Sequence, residues 1–462
     1  MATHRIRRGL DLPLYGAPAE RVDDAPRPAR AALLAADYVG MKPTMRVEVG
    51  SPVRIGDVLF ADKKLPAVAY TSPAAGTVAA IERGEKRALQ SVVIALDPRS
   101  DARRDLATFT GKHPSSASAD EVREVLLESG VWTALRARPF GGVADPGKRP
   151  RSIFVNAMDS HPLSADPAVA LRGREEDFER GLHALAKLTD GPVNVCRRAG
   201  SAIPVPAREP FRAHDWSGPH PAGTVGLHIH RLDPVDRHKL VWYAGAQDVL
   251  AIGRLFATGA IDVERIVALG GPSVREPRLL RMRLGAAIDD LVKDELEPAR
   301  GGRGADRSGE HRVVSGSVLS GRAAAGPVHG YLGRYHTQIS VVPEERDRDF
   351  LGWLRPGLDR FSTTGAFVSA LLPRRRFRMT TTTHGSDRAI VPIGLYERVM
   401  PMDLEPTFLL KALVTHDVER AEQLGVLELE EEDLGLLSFV CPSKTDYGPH
   451  LRRVLQTIEE EG

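Results

Sequence analysis

Between Val47 and Leu96 the chain is built of short apolar–polar alternations broken by glycine and proline, a rhythm that fits little except a small all-β unit. Val47–Phe60, VEVGSPVRIGDVLF, turns at Gly50 and Gly56, and Asp62-Lys63-Lys64 follows in a hairpin. Val68–Ala80, VAYTSPAAGTVAA, gives a strand, a Ser-Pro and Gly turn and a second strand, and Ser91–Leu96, SVVIAL, closes the set. Strands this short hide an apolar face only by pairing around a common core, so residues 1–100 are expected to form a small barrel or flattened sandwich.

The period changes after a polar linker over 101–115. Ser118 and Glu121 have the spacing of a capping box, which predicts a helix through Val122, Val125 and Leu126 that stops near Gly130. Ser152–Met158 and Pro192–Cys196 read as buried strands, Phe178–Leu188 and Gln247–Phe256 as helices, and Thr224–Leu232 as a third strand. Strand–helix–strand alternation over 116–257 predicts an α/β unit with parallel pairing. Over 258–330, strands at Arg265–Leu269 and Val313–Leu319 flank a helix at Ala286–Leu296, a small α+β unit with a mostly basic loop at Pro298–Arg312. Residues 331–462 end in helices around Leu409–Leu413, Val418–Leu424 and Leu451–Ile458.

Composition removes several function classes. Lys+Arg 63 against Asp+Glu 61 leaves a formal charge of +2, too even for general phosphate-backbone binding, so no nucleic-acid partner is expected. Two cysteines cannot build a disulfide framework, an iron–sulfur cluster or a Cys-rich zinc site. No stretch reaches the roughly 18 apolar residues of a membrane span, and MATHRIRRGL at the start has no apolar run behind it. The α/β unit lacks G-x-G-x-x-G after a strand and G-x-x-x-x-G-K-[ST] anywhere, which argues against a nucleotide site on this chain.

Other motifs have both plain and functional readings. His228 and His230, two apart on the expected strand, would share a face, with His214 and His220 nearby; hydrogen-bonded or surface histidines are the plain reading and a metal the other. Ser362–Ala366 reads as a helix N-cap, and Arg374, Arg375, Arg376 and Arg378 as a solvated loop or a site for an acidic surface.

Val47–Val78 resembles the biotinyl/lipoyl carrier hammerhead, with V-x-x-G-x-x-V-x-x-G-D-x-L leading to Asp62-Lys63-Lys64 at the hairpin. The residues that follow, Leu65-Pro66, are not those of a lipoyl tip, so the fold is expected without the prosthetic group. Longer segments, in order along the whole chain, carry a more specific likeness: Arg8–Pro18 (RGLDLPLYGAP), Asp37–Met45 (DYVGMKPTM), Glu128–Phe140 (ESGVWTALRARPF), Gly218–Gly223 (GPHPAG), Tyr331–His336 (YLGRYH) and Met379–Pro401. With these the chain resembles the NqrA subunit of the Na⁺-translocating NADH:quinone reductase, the Nqr complex. It departs from that family in a long insertion at Ala299–Glu310.

The resemblance implies a multidomain α/β fold: a barrel-sandwich hybrid (biotinyl/lipoyl-like) domain, a Rossmann-like domain, a small β-grasp (SLBB-like) domain and a helical C-terminal domain. It implies a peripheral subunit on the cytoplasmic face of the bacterial inner membrane. The complex reduces ubiquinone with electrons from NADH and exports Na⁺. No cofactor is expected on this chain; NADH oxidation, flavins and iron centres belong to other subunits. Partners are those membrane-embedded quinone and flavin subunits, ubiquinone and the membrane surface. Related electron-input subunits hold an iron–sulfur cluster near the C-terminus, where this chain has only Cys441. Ubiquinone needs apolar walls and one or two donors. Two family-matching segments supply these types: Tyr38, Met41 and Lys42, and Trp132, Leu135, Arg136, Arg138 and Phe140. The alternatives are a docking or assembly module without quinone contact, and a cofactor carrier or stand-alone NAD enzyme.

Overall fold

The computed structural model describes residues 2–297, 310–346, 354, 356–372 and 374–461; the insertion at 299–310 lies, apart from Glu310, outside the described residues. The glycine- and proline-broken alternation near the N-terminus forms two small sheets. Arg30–Leu34, Leu89–Leu96, Gly76–Arg83 and Pro52–Val53 make one, and Pro43–Met45, Val58–Asp62 and Ala69–Thr71 the other. Leu59, Phe60, Val68, Tyr70, Val78, Val92 and Ile94 fill the space between them.

The α/β unit is a six-stranded sheet in the order Ala2–Arg5, Phe211–Ser217, Val193–Arg198, Ile153–Ala157, Val241–Gly245 and Arg136–Arg138. All pairings are parallel except the last. Ala119–Ser129 begins as the sequence requires. Ser118 Oγ accepts from the Glu121 N–H at 3.1 Å, and the Glu121 carboxylate accepts from the Ser118 N–H at 2.7 Å. It ends at Gly130 with φ 75°, a left-handed cap that glycine adopts without strain.

With the N-terminal pair counted as one sandwich and the α/β sheet as the second layer, a third sheet, also of six strands, runs Arg322–Ala323, His311–Ser315, Gln338–Pro343, Glu264–Gly270, Arg278–Arg283 and Ala19–Asp24. Helices at Leu395–Val399, Pro406–Thr415, Val418–Gln423, Glu431–Val440 and Gly448–Glu461 pack as a C-terminal bundle against the α/β sheet through one continuous apolar cluster.

Four readings are corrected. Thr224–Leu232 is not a strand but a helix, Val225–Leu232. Its residues 225–229 are all buried, and a fully buried run has no polar face by which to tell the two periods apart. His228 and His230 therefore point roughly 200° apart around a helix and do not share a face. The helix expected over Ala286–Leu296 is regular only at Ile288–Val292, where the N-cap Ala287 offers no side-chain acceptor. The helices Leu395–Val399 and Glu431–Val440 add to those that the sequence predicts for the C-terminal region. Finally, the first strands leave the N-terminal unit: Ala2–Arg5 pairs with Phe211–Ser217, and Ala19–Asp24 with Arg278–Arg283.

Helices Glu175–Ala186 and Ala246–Thr258 lie together on the sheet at a distance that only glycine permits. A Cβ on Gly253 would meet the Asp177 carbonyl oxygen, and one on Gly181 the Val249 carbonyl oxygen. Both obstacles are backbone, which cannot swing aside. Gly253→Ala is therefore expected to destabilise the α/β unit by about 1–3 kcal/mol or more. A lowered urea or thermal midpoint checks this; because alanine has the higher intrinsic helix propensity, a loss comes from packing and not from propensity.

Candidate functional site

The site is a cleft where the N-terminal unit, the α/β unit and the third sheet meet. Strand Arg30–Leu34 runs into a short turn that delivers Tyr38, whose ring stands edge-on to Tyr70 at 4.6 Å. Tyr70, on Ala69–Thr71, stacks on Phe60 at 4.7 Å. Its buried hydroxyl has no hydrogen-bond partner. Thr71 Oγ1 donates to the Ser129 carbonyl oxygen at 3.1 Å, tying this strand to the end of the capped helix. Gly130 is needed there twice over, for its backbone angle and because a Cβ would strike the Thr71 side chain.

The cap then sets the turn Val131–Ala134, whose Thr133 carbonyl oxygen accepts from the Tyr335 hydroxyl at 2.7 Å. Tyr38, Tyr70, Val131, Leu332, Arg265 and Arg334 line a narrow, open-mouthed cleft with about 60 Å³ of enclosed volume. Burial drives the Tyr38 and Tyr70 phenols upward, so both stay neutral donors at any physiological pH.

The charges at the cleft are shared. Asp248 Oδ1 accepts from Arg265 Nη2 and Arg334 Nη1, each at 2.8 Å. Burial would raise the Asp248 carboxyl, but the two guanidiniums hold it below its ordinary value. The Arg334 N–H donates to Asp37 Oδ2 at 2.8 Å, and Arg322 pairs with Asp37 at 2.9 Å. One chain of charges thus joins all three units. The lining sets Arg265 and Arg334 against Asp37 and Asp262, so its charges balance, and with apolar and aromatic walls and two neutral hydroxyls it suits a flat, uncharged ligand with hydrogen-bond acceptors.

The sequence-derived residues divide among wall, scaffold and surface. Tyr38 lines the cleft; Met41 packs half-buried on the N-terminal core and Lys42 is exposed. Trp132 and Leu135 are core residues behind the Val131–Thr133 wall, with Trp132 Nε1 donating to the Ala144 carbonyl oxygen at 2.7 Å. Arg136, 27% exposed, lies between the Tyr243 and Tyr335 rings at 4.5 and 4.3 Å.

Arg138 is not the free donor that its residue type suggests. It is fully buried, 2.8 Å from Glu430 and 3.0 Å from Asp433, and donates to the Glu428 carbonyl oxygen at 2.7 Å. The Phe140 carbonyl oxygen accepts from Arg452. The residues that sequence reasoning missed are Tyr70, Tyr335, Arg265, Arg334 and Asp248. YLGRYH held a usable signal, an arginine beside a tyrosine, whereas the unpaired Tyr70 hydroxyl is visible only in three dimensions.

The remaining motifs have structural partners. His228 Nε2 contacts the Ala222 carbonyl oxygen at 2.9 Å, and His230 lies 2.8 Å from Glu428. Among the described residues no three His, Cys, Asp or Glu side chains gather as metal ligands. Lys63 and Lys64 are exposed, beside an Asp62 carboxylate that accepts from the Lys42 and Lys64 N–H groups. Ser362–Ala366 forms a turn before a short helix, Val368–Leu371, rather than capping one directly. Cys441 is buried with its Sγ 3.2 Å from the hydroxyls of Tyr396 and Tyr447.

Comparison with known proteins agrees along the whole chain. Residues 4–97 match the family described as NqrA N-terminal barrel-sandwich hybrid domain, 117–261 the NqrA second alpha/beta domain, and 266–326 the NQRA C-terminal domain. The NqrA subunit of the Na(+)-translocating NADH-quinone reductase of Serratia proteamaculans is 49% identical over 458 residues, covering 99% of this chain and 100% of that one. The proteins of the same name from Neisseria gonorrhoeae (strain NCCP11945) and Rhodopirellula baltica are 48% identical, each over 99% of this chain and over 100% and 98% of their own lengths. An air-oxidized NAD⁺-reducing nickel–iron hydrogenase chain overlays with a TM-score of 0.39 at 14% identity, over 77% of this chain and 63% of that one, too slight a likeness to build on.

Two outcomes follow from the interface beside the cleft. Removing Arg138 strands the Glu430 and Asp433 carboxylates in the interior, so Arg138→Ala should cost about 3–5 kcal/mol. It should also loosen the bundle, read as faster amide exchange in Glu431–Val440. His161 sits 2.9 Å from Asp159 and 3.4 Å from Glu432. Burial works to lower it, but the carboxylates prevail and raise it to about 9. A histidine raised on folding contributes its stability fully below its unfolded value of about 6.5 and loses it as pH rises through the folded one. Stability should therefore fall between about pH 6.5 and about pH 9, and His161→Gln should flatten that part of a pH series of denaturation midpoints.

Proposed function

The chain belongs to the NqrA family of the Na⁺-translocating NADH-quinone reductases, one subunit of a larger enzyme complex, and on that premise we propose that its three-unit cleft receives the head of ubiquinone. The observation that carries the reading is convergence. The Tyr38 and Trp132 segments, far apart in the chain, meet at one cleft that also holds a buried phenol with nothing to bond.

A quinone head presents two carbonyl oxygens on a flat apolar ring. Tyr70 and Tyr38 donate to one edge, Val131 and Leu332 cover the faces, and Trp132 and Leu135 stiffen the wall from behind. Arg334 and Arg265 gain most when an oxygen becomes negative, so they favour the reduced, anionic form over the neutral one. Asp248 keeps them from meeting the ligand as bare charges. Arg136 extends the same aromatic–cation layer through Tyr335. Arg138 and Phe140, like the half-buried Met41, position this frame, and Lys42 lies outside it.

In this reading the chain is a peripheral component on the cytoplasmic face of the inner membrane and contributes no redox centre. NADH oxidation, flavins, iron centres and the Na⁺ path lie in its membrane-embedded and flavin-bearing partners. No helix among the described residues is long and apolar enough to cross a membrane, which is compatible with that placement.

The test uses the assembled enzyme carrying Tyr38→Phe and Tyr70→Phe, singly and together. Each lost neutral hydrogen bond should raise the KM for ubiquinone roughly 3- to 10-fold. NADH oxidation with an artificial acceptor should not change. A photoreactive quinone should label peptides containing residues 38–42 and 130–136. Wild-type quinone kinetics in the double variant, with no label on those peptides, would replace this reading with that of a docking module.

A further inference from the structure

The described residues 356–372 and 374–378 have two sides of different chemistry. Their inner side is fixed. Phe361 lies 5.9 Å from Phe377 and 6.3 Å from Phe439 on helix Glu431–Val440. The Phe377 N–H donates to the Pro13 carbonyl oxygen at 2.7 Å, and the Phe377 carbonyl oxygen accepts from the Tyr15 N–H at 2.9 Å. The Val368 N–H donates to the Pro356 carbonyl oxygen at 2.9 Å, and Ser369 Oγ to the Arg360 carbonyl oxygen.

The outer side carries what a folded chain normally hides or pairs. Leu371 is 78% exposed, and Leu358, Val368 and Leu372 are exposed with it. Arg374, Arg375 and Arg376 follow at once, all exposed, and no carboxylate among the described residues pairs with them. Exposed arginines without a carboxylate partner among the described residues occur elsewhere, Arg46, Arg99 and Arg172 among them, but only here do three stand in a row beside exposed leucines. Over 356–378 the sequence has one acid, Asp359, and five arginines.

We propose that this segment is an interfacial anchor: Val368, Leu371 and Leu372 enter the headgroup–acyl boundary of an anionic bilayer while Arg374, Arg375 and Arg376 hold lipid phosphates. The chemistry is specific to such a boundary. Aliphatic side chains are stabilised by leaving water, and guanidiniums bind phosphate oxygens in a bidentate fork. The aromatic residues that usually centre a protein–protein contact, here Phe361 and Phe377, are turned inward as props. An acidic protein partner would satisfy the arginines but not the protruding leucines. The inference rests on the proposed peripheral placement and is independent of the cleft, which lies in other parts of the chain.

Flotation of the purified full-length chain with vesicles tests it. The chain should float with phosphatidylglycerol-containing vesicles, not with pure phosphatidylcholine, and should detach at about 1 M salt, where screening shortens to roughly 3 Å. With each surface arginine contributing about fivefold, Arg374→Gln, Arg375→Gln and Arg376→Gln together should lower partitioning on the order of 100-fold. Leu371→Ser with Leu372→Ser should lower it by about tenfold or more, from lost apolar burial, with the salt dependence retained. Unchanged melting curves would show that the variants fold. The proposal is overturned if the wild type ignores anionic vesicles, binds both lipids equally, or binds no better than the triple variant. It is also overturned if the variants keep vesicle binding but fail to join the complex, which would mark the segment as a protein-docking face. Vesicles without quinone make these results independent of the Tyr38 and Tyr70 experiment.

Discussion

The three units meet around one carboxylate. Asp248 stands in the first turn of a helix in the α/β unit, yet its partners, Arg265 and Arg334, come from the third sheet and from the loop that leads into its strand Gln338–Pro343. Arg334 continues the connection through its backbone N–H to Asp37 in the N-terminal unit. Apolar contact is tolerant of small slides, whereas a buried carboxylate between two guanidiniums is not, because any shift leaves a charge without its counter-charge. The cleft therefore has one geometry, and Tyr38, Tyr70 and Val131 are held facing each other by charges outside the aromatic wall itself.

The same logic recurs at the base of the C-terminal bundle. Arg138, on the antiparallel edge strand of the α/β sheet, reaches Glu430 and Asp433 at the start of a helix. Those two acids also close that helix's own capping box. Tyr243 adds its hydroxyl to Glu430 at 2.7 Å. A side chain whose type announces ligand chemistry here serves to register one unit on another. Burial separates the two roles: Arg136, two residues earlier, keeps an open edge between its tyrosines, while Arg138 keeps none.

What could be read from the sequence was local. The Ser118–Glu121 box and the Gly130 stop lie within a dozen residues, so the chain states them outright. The glycine-punctuated alternation from Val47 onward does the same for the hammerhead. Relations between distant residues could not be read in this way. Nothing near Tyr70 in the sequence says that its hydroxyl lacks a partner, and nothing near Arg334 names Asp248. The buried run Val225–Ile229 shows a second limit, since five consecutive buried residues present no exposed face and look like a central strand. Tyr38 and the Trp132 segment stand out in the sequence by chemical type. Their meeting at one cleft depends on a helix cap and on the Thr71 hydrogen bond to Ser129, and residue type alone does not reveal that bond.

The strand Ala2–Arg5 has a consequence for how the molecule is born. It lies against Phe211–Ser217, with His4 and His214 in contact although 210 residues apart. At a synthesis rate of about 5–20 residues per second, the first strand leaves the ribosome roughly 10–40 s before its neighbour exists. Ala19–Asp24 waits longer still, for Arg278–Arg283. The N-terminal unit can close its own two sheets early, but its leading strands must remain unpaired until the middle of the chain arrives. Maturation is thus not a sequence of independent domains: the beginning of the chain is fastened only when its middle arrives, and it then ties two later units to the first.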